Sequence, residues 1–308
     1  MESSIRIPLR LRRLTGWVLA IACTAPAVGG AQQLQRSGQT VAPVYEGFQR
    51  QPDGSIDLLF GYFNRNWEQQ VDAPLGPDNH FSPGEPDRGQ PAHFYPRRNR
   101  FVFRVNVPAD FGDSELVWTL KTQGETLTAY GTLRSEYELD DIAIMANFGG
   151  AGGTGFHPSV VGNVRPGLEV EGARRRTVSA GEPVTLRAVA TDDGKPEPRP
   201  LVGQTRGIRV RGGGRVAPHS ATGLRLSWIV YRGPGEVVFD PPQLKTWEDM
   251  RDGGGSPWSN GFETPPPPPG NRWVTRATFS EPGTYVLRCL AHDGGLQTYE
   301  DVTFVVSR

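Results

Sequence analysis

The sequence predicts an all-β protein, two β-sandwich domains joined by a Gly-rich linker. Two observations carry that prediction. Glycine (39) and proline (28) are abundant in 308 residues, and short alternating runs bounded by turn residues recur where long helical periodicity is nearly absent. The expected divisions are a signal peptide over 1–31, a disordered start over 32–39, a first sandwich over 40–146, a linker over 147–166 and a second sandwich over 167–308.

In the first sandwich, Ile56 to Phe63 follows an Asp53-Gly54 turn and reads as a strand. Phe101 to Val107 is a second strand, ended by Pro108. Leu116 to Leu120 and Thr126 to Tyr130 flank Gly124 and read as a hairpin, since extended segments joined by a short Gly-containing turn pair antiparallel. The stretch Asn147 to Gly155 has almost no side chains to bury and reads as a flexible tether. It lacks the Lys-Ser/Thr pair of a phosphate-binding loop.

Val184 to Ala190 opens the strands of the second sandwich, and Asp192-Asp193-Gly194 turns it. Leu224 to Tyr231, Val237 to Phe239, Thr284 to Ala291 and Val302 to Val306 complete the expected strands. Leu244, Trp247 and Met250 are spaced by three and predict a short helix closed by Gly253. The stretch from Gly253 to Gly270, with five successive prolines from Pro265, reads as an irregular or polyproline-like excursion.

Gly181-Glu182-Pro183-Val184-Thr185-Leu186, Asp192-Asp193-Gly194, Trp228, Pro282-Gly283-Thr284-Tyr285-Val286-Leu287 and Ala291-His292-Asp293-Gly294 together resemble a bacterial immunoglobulin-like domain of the PKD type. The resemblance covers about the last 140 residues and implies a sandwich rather than a chemistry. The insertion from Gly253 to Gly270 departs from the simple module. Beside the resemblance, period-two alternation turns Tyr285, Leu287, Cys289 and Ala291 to one face, expected to pack on Trp228 from the facing sheet. Cys289 stands about where an antibody-type domain keeps a bridging cysteine, and without a partner it reads as a small buried apolar residue. The N-terminal half, through Phe60 to Asn66 and Asp87 to Pro91, is similar to uncharacterised exported bacterial proteins, which implies no chemistry.

Export is the second expectation. Arg6, Arg10, Arg12 and Arg13 precede an apolar stretch from Leu14 to Val28, and Gly29-Gly30-Ala31 follows. A basic start, a short apolar core and a small-residue exit are the parts of a secretory signal peptide. The apolar core is shorter than a membrane-spanning helix needs, so no transmembrane span is expected in the mature chain. Arg12-Arg13 as a twin-arginine signal and Cys23 as a lipoprotein cysteine are the variants weighed. The expected location is the periplasm, the outer surface or the medium.

Charge narrows the partners. Basic and acidic residues number 33 each, and removing four arginines and one glutamate with the signal peptide leaves a net charge of −3. Phosphate binding needs a basic excess, so nucleic acid is not expected and a protein or glycan of the envelope is.

The stretch from Asn64 to Arg98 is the candidate site, because a loop this long is uncommon in a compact domain. The residues named for ligand binding are Asn64, Asn66, Trp67, Asp78, Asn79, His80, Asp87, His93, Tyr95 and Arg97. Aromatic faces beside amides and carboxylates suit a sugar ring, and the alternative is that the aromatics pin the loop while the polar groups satisfy its backbone. His80, His93, Asp78 and Asp87 offer zinc-type ligands in no compact motif. No cofactor is expected other than calcium, for which Asp192, Asp193 and Asp293 at one end of the second sandwich are the candidate ligands.

Hydrolase patterns fail on inspection. Ser256 lacks the glycine two residues on that a nucleophile elbow requires. His157, His219 and His292 have no nucleophile beside them, and Asp140-Asp141 alone does not argue acid–base chemistry. The expected function is therefore a non-catalytic binding or structural protein of the bacterial envelope. A carbohydrate-active enzyme or accessory subunit, using the 64–98 loop, is the alternative.

Overall fold

The computed structural model describes residues 36–148, 158–198, 221–244 and 264–308. The expected signal peptide, most of the Gly-rich linker and the helix expected from Leu244 to Met250 lie outside the described residues, apart from Leu244 itself. Ser256, His157 and His219 lie outside them too.

Within 36–148 the strands run β1 (Val41–Arg50), β2 (Ile56–Asn64), β3 (Val71–Asp72), β4 (Asn79–Ser82), β5 (His93–Phe94), β6 (Arg97–Val107), β7 (Leu116–Thr122) and β8 (Glu125–Gly131). One sheet has the order β1-β2-β6 and the other β4-β7-β8, with β3 and β5 forming a small pair. Their shared core holds Phe60, Phe81, Phe103 and Trp118, none more than 1 % exposed. Phe81 stacks on Trp118 with centroids 5.9 Å apart, and Phe60 on Phe103 at 5.5 Å. Offset stacking of this kind adds to the gain from burial itself. The expected hairpin is β7–β8, and Gln123 (φ 52°) and Gly124 (φ 78°) take the left-handed pair that a two-residue turn needs.

The second half begins with α1 (Asp141–Phe148) and continues through β9 (Gly167–Val170), β10 (Arg175–Ser179), β11 (Val184–Thr191), β12 (Arg225–Arg232), β13 (Val237–Asp240), β14 (Arg272–Phe279), β15 (Gly283–His292) and β16 (Gln297–Ser307). Two four-stranded sheets, β10-β16-β15-β12 and β13-β14-β11-β9, face each other. Leu186, Ala188, Ala190, Ala277 and Phe279 from one meet Tyr285, Leu287, Cys289, Ala291 and Phe304 from the other, all fully buried. Tyr285 also donates from Oη to the carbonyl of Glu281 at 2.9 Å, fastening the start of β15 to the turn before it. A Cβ on Gly233 would lie 2.2 Å from the ring of Tyr285, so only glycine leaves that ring its place.

One expectation about this core is corrected. Trp228 does not come from the facing sheet. It lies on β12, paired directly with Cys289 of β15 in the same sheet, and reaches the shared core beside it. Alternation showed which side Trp228 takes, but partner strands are chosen by long-range pairing that a single strand's pattern does not encode.

Several elements carry no clear sequence pattern. In β1, Pro43 and Gly47 interrupt the alternation, and the strand shifts register between Tyr45 and Gly47. The parallel edge strand β10 is polar, and β14 begins Arg272-Trp273-Val274-Thr275-Arg276 with only Thr275 of those five buried. Helix α1 starts where Asp140 Oδ1 accepts the amide of Ala143 at 2.7 Å, a side-chain cap on the first turn.

A third apolar cluster lies between the sandwiches. Leu59 and Phe101 come from the first, Leu296 from the second, and Ile144, Met145 and Val160 from the connecting chain. Its existence explains the unbroken apolar run Leu58-Leu59-Phe60, since β2 is covered on both faces. It also modifies the expected flexible tether. Phe148 packs edge-on against Phe101 and His292, and Val160 is 1 % exposed, so the described ends of the 147–166 segment are packed rather than loose. Phe101 takes φ 51°, a conformation that costs a bulky residue on the order of 1 kcal/mol or more. Its carbonyl accepts Gln297 Nε2 at 2.7 Å while its ring enters this cluster.

Candidate functional site

The 64–98 stretch contains three short strands and a dense set of side-chain bonds to its own backbone. Asn64 is fully buried and donates to the carbonyls of Gln69 (2.9 Å) and Phe94 (3.0 Å), while its oxygen accepts Asn66 N and Nδ2. Asn66 in turn bonds both backbone groups of Gln39. Asn79, also fully buried, donates to Ala73 and Pro91 at 2.8 Å and accepts the indole Nε1 of Trp118 at 3.0 Å. These amides do what β-ladders do elsewhere, satisfying backbone groups that irregular chain leaves unpaired.

The remaining predicted residues are dispersed. Arg97 lies over the Trp67 ring at 3.9 Å and donates to the carbonyl of Arg65. Asp78 is exposed, 3.7 Å from Lys121 Nζ. His80 Nδ1 is buried without a hydrogen-bond partner among the described residues. Asp87 takes both Nη atoms of Arg232, at 2.9 and 2.8 Å, across the junction between the sandwiches. That hydrogen-bonded guanidinium lowers the Asp87 carboxyl below its ordinary range. His80 and His93 do not meet Asp78 and Asp87 in a ligand set, and among the described residues no group of three or more His, Cys, Asp or Glu could hold a metal ion.

The acidic turns behave similarly. Asp192 Oδ2 accepts Gly194 N, and Asp193 accepts Lys195 N and Val164 N. Asp293 is fully buried, accepting Gly295 N (2.5 Å), Leu296 N (2.7 Å) and Asn163 Nδ2 (3.1 Å). Burial, with a smaller contribution from nearby Asp192, pushes Asp293 up to about 6. Both oxygens of Asp193 are turned to the backbone. His292 is held as a neutral acceptor for Gly294 N at 2.6 Å, its pKa driven well down by burial.

Of the ten loop residues, His93 and Tyr95 line one cleft together. It has a volume of about 280 Å³ and lies where the end of the loop meets the β12 and β13 edges of the second sandwich. Gln70, His93 and Tyr95 line one side; Trp228, Phe239 and Gln243 line the other. His93 is oriented by Asp72 Oδ1 (2.7 Å) at Nδ1 and by Gln70 Oε1 (2.6 Å) at Nε2. Tyr95 Oη accepts the Val230 amide at 2.9 Å, and Gln243 Oε1 accepts the Trp228 amide at 2.9 Å. Burial raises the Tyr95 phenol, so it stays protonated at neutral pH. Trp228 Nε1 is buried and has no acceptor among the described residues. The sequence reading missed Gln70, Phe239 and Gln243, and took Trp228 only as core. Nothing local marks them; they meet through the junction.

No protein-family model matches the chain, and no curated protein matches it. Among solved structures, a conjugative transposon lipoprotein from Bacteroides eggerthii aligns at 9 % identity and TM-score 0.26, over 45 % of this chain and 95 % of that one. The fibronectin(III)-like modules of Clostridium thermocellum CbhA align at 9 % and 0.22, over 87 % and 94 %. Domains 4 and 5 of the S-layer protein SbsC align at 8 % and 0.23, over 88 % and 98 %. Likenesses of this size assign neither family nor activity. Among the described residues no helix is long and apolar enough to cross a membrane.

Proposed function

We propose that this chain is an exported, non-catalytic protein of the bacterial envelope, acting as a binding or spacing module for protein or glycan. One observation carries the non-catalytic reading: four of the polar side chains named in the 64–98 stretch are consumed by the fold. Asn64, Asn66 and Asn79 hold backbone, and Asp87 is clamped by Arg232, so none of these four is available to a substrate without breaking a structural bond.

The junction supports a spacing role. Ala92 N donates to Tyr231 O, Tyr231 Oη to Gly89 O, and Arg232 Nε to Gln90 O. Two sandwiches tied by main-chain and charged bonds hold their surfaces at a defined separation, which a loose tether would not. Export rests on the basic, apolar and small-residue succession of residues 1–31.

Fractionation of cells producing the tagged full chain tests location. Recovery outside the cytoplasm, shortened by about 31 residues, is the expected result. Retention in the cytoplasm at full length overturns export. A turnover lost on Asp78→Ala or His93→Ala would instead establish the enzymatic alternative, whose support is that His93 borders the cleft.

A further inference from the structure

We infer that the cleft between the loop end and the β12–β13 edge is a binding site for a single neutral sugar ring. The inference deepens the reading of this chain as a binding protein and rests on it. The first support is an unmet donor. Trp228 is 1 % exposed, lines the cleft, and its indole N–H has no acceptor among the described residues. A buried donor without a partner costs about 1–3 kcal/mol, and a ligand oxygen removes that cost.

The second support is what already occupies the surrounding groups. The amides of Trp228 and Val230 on the β12 edge are held by Gln243 Oε1 and Tyr95 Oη. An added peptide strand would have to displace both, so the wall is closed to strand addition. It presents side chains instead: the Tyr95 and Phe239 rings, the Gln70 and Gln243 amides and, on the rim, exposed Glu236. Ring faces beside amides and one carboxylate match the apolar faces and hydroxyls of a pyranose. Among the described residues no lysine or arginine lines the cleft. At about 280 Å³ it stands at the small end of ligand pockets, a size for one ring and not for a chain of them.

Saturation-transfer NMR on the full chain tests this with three probes: methyl glucopyranoside, methyl galactopyranoside and N-acetylglucosamine. Saturable transfer to at least one is expected, with Trp228→Phe weakening it about tenfold, the effect of one lost hydrogen bond. Should Trp228→Phe fail to fold, Gln70→Ala and Glu236→Ala, both at exposed rim positions, take its place with the same expected direction. Absence of transfer to all three probes overturns the assignment. So does transfer that the variants leave unchanged, or transfer only to an uncharged tripeptide run in parallel. Location is measured separately, so an exported protein that binds no glycoside would sink the cleft alone.

Discussion

Arg288, on β15 of the second sandwich, donates through Nη1 to the main-chain carbonyl of Val102 on β6 of the first. The same guanidinium grips Asp301 at 2.7 and 2.8 Å and lies between the rings of Tyr231 and Tyr299, 3.6 and 3.8 Å from their centroids. Its side chain is only 4 % exposed. Every face of one cation is therefore used, and one of its bonds joins the two halves of the protein.

Arg288→Met should loosen that joint. Removing one partner of a buried pair typically costs 3–5 kcal/mol, but the Asp301 side chain is 37 % exposed and its stranded charge is partly solvated. A loss of about 2 kcal/mol is expected in urea unfolding, with earlier proteolytic cleavage between the sandwiches. An unchanged midpoint and digestion pattern would show that Val102 and Asp301 gain nothing from the cation.

Asn79 discriminates between kinds of buried polar group. Asn79→Ala strands Trp118 Nε1 and two carbonyls, for an expected loss of about 3 kcal/mol. Asn79→Asp keeps the acceptor for Trp118 but turns a carboxylate oxygen toward the carbonyls of Ala73 and Pro91. It should be worse than alanine at pH 7 and partly recover below pH 5, where protonation restores one donor. Thermal melts of both variants across pH check the order.

Asp293 sets a pH dependence of known sign. Its folded pKa of about 6 exceeds the unfolded value near 3.9, so the native state binds the proton more tightly. The stabilisation is complete below about pH 4 and is lost as pH rises through about 6. Asp293→Asn keeps an acceptor for Gly295 and Leu296, and the buried Asn163 Oδ1, unpartnered among the described residues, is what a flipped amide would offer to the new donor. The stability difference between Asp293→Asn and wild type should grow by about 2–3 kcal/mol from pH 4 to pH 7. A constant difference would mean that Asp293 titrates like a surface carboxyl.

Cys289 should be chemically silent. It is fully buried, and burial pushes its thiol well above the ordinary range, so almost no thiolate forms at neutral pH. In protein cleaved after Ala31, Ellman's reagent should find no thiol until denaturant is added, then one per chain. Fast reaction of the folded protein would contradict the packing of β15 against the facing sheet.

Much of this fold was legible because a strand buried on one face must alternate. Ile56 to Phe63, Leu116 to Leu120, Val184 to Ala190 and Thr284 to Ala291 carry that alternation or its doubly buried variant, and each is a strand. β14 was illegible because Arg272, Val274 and Arg276 are exposed and the buried positions before Phe279 are Thr275 and Ala277, which no window sum reads as core. The three strands inside 64–98 were illegible for another reason. Asn64 and Asn79 look like binding-site amides in sequence, and only their neighbours reveal that they stand in for missing ladder bonds.

By itself, the amino-acid order determined the strand-rich class, the inward faces of β2, β7, β11 and β15, and the apolar character of Cys289, because those follow from period two and side-chain hydrophobicity along one segment. Tertiary structure alone decided that Trp228 neighbours Cys289 within a sheet, that Arg288 spans two halves, and that His93 and Tyr95 meet Trp228 and Gln243 around one cleft. Those relations join residues more than 130 positions apart or depend on which strand pairs with which. Such pairing is chosen by the whole core at once, not by any local pattern.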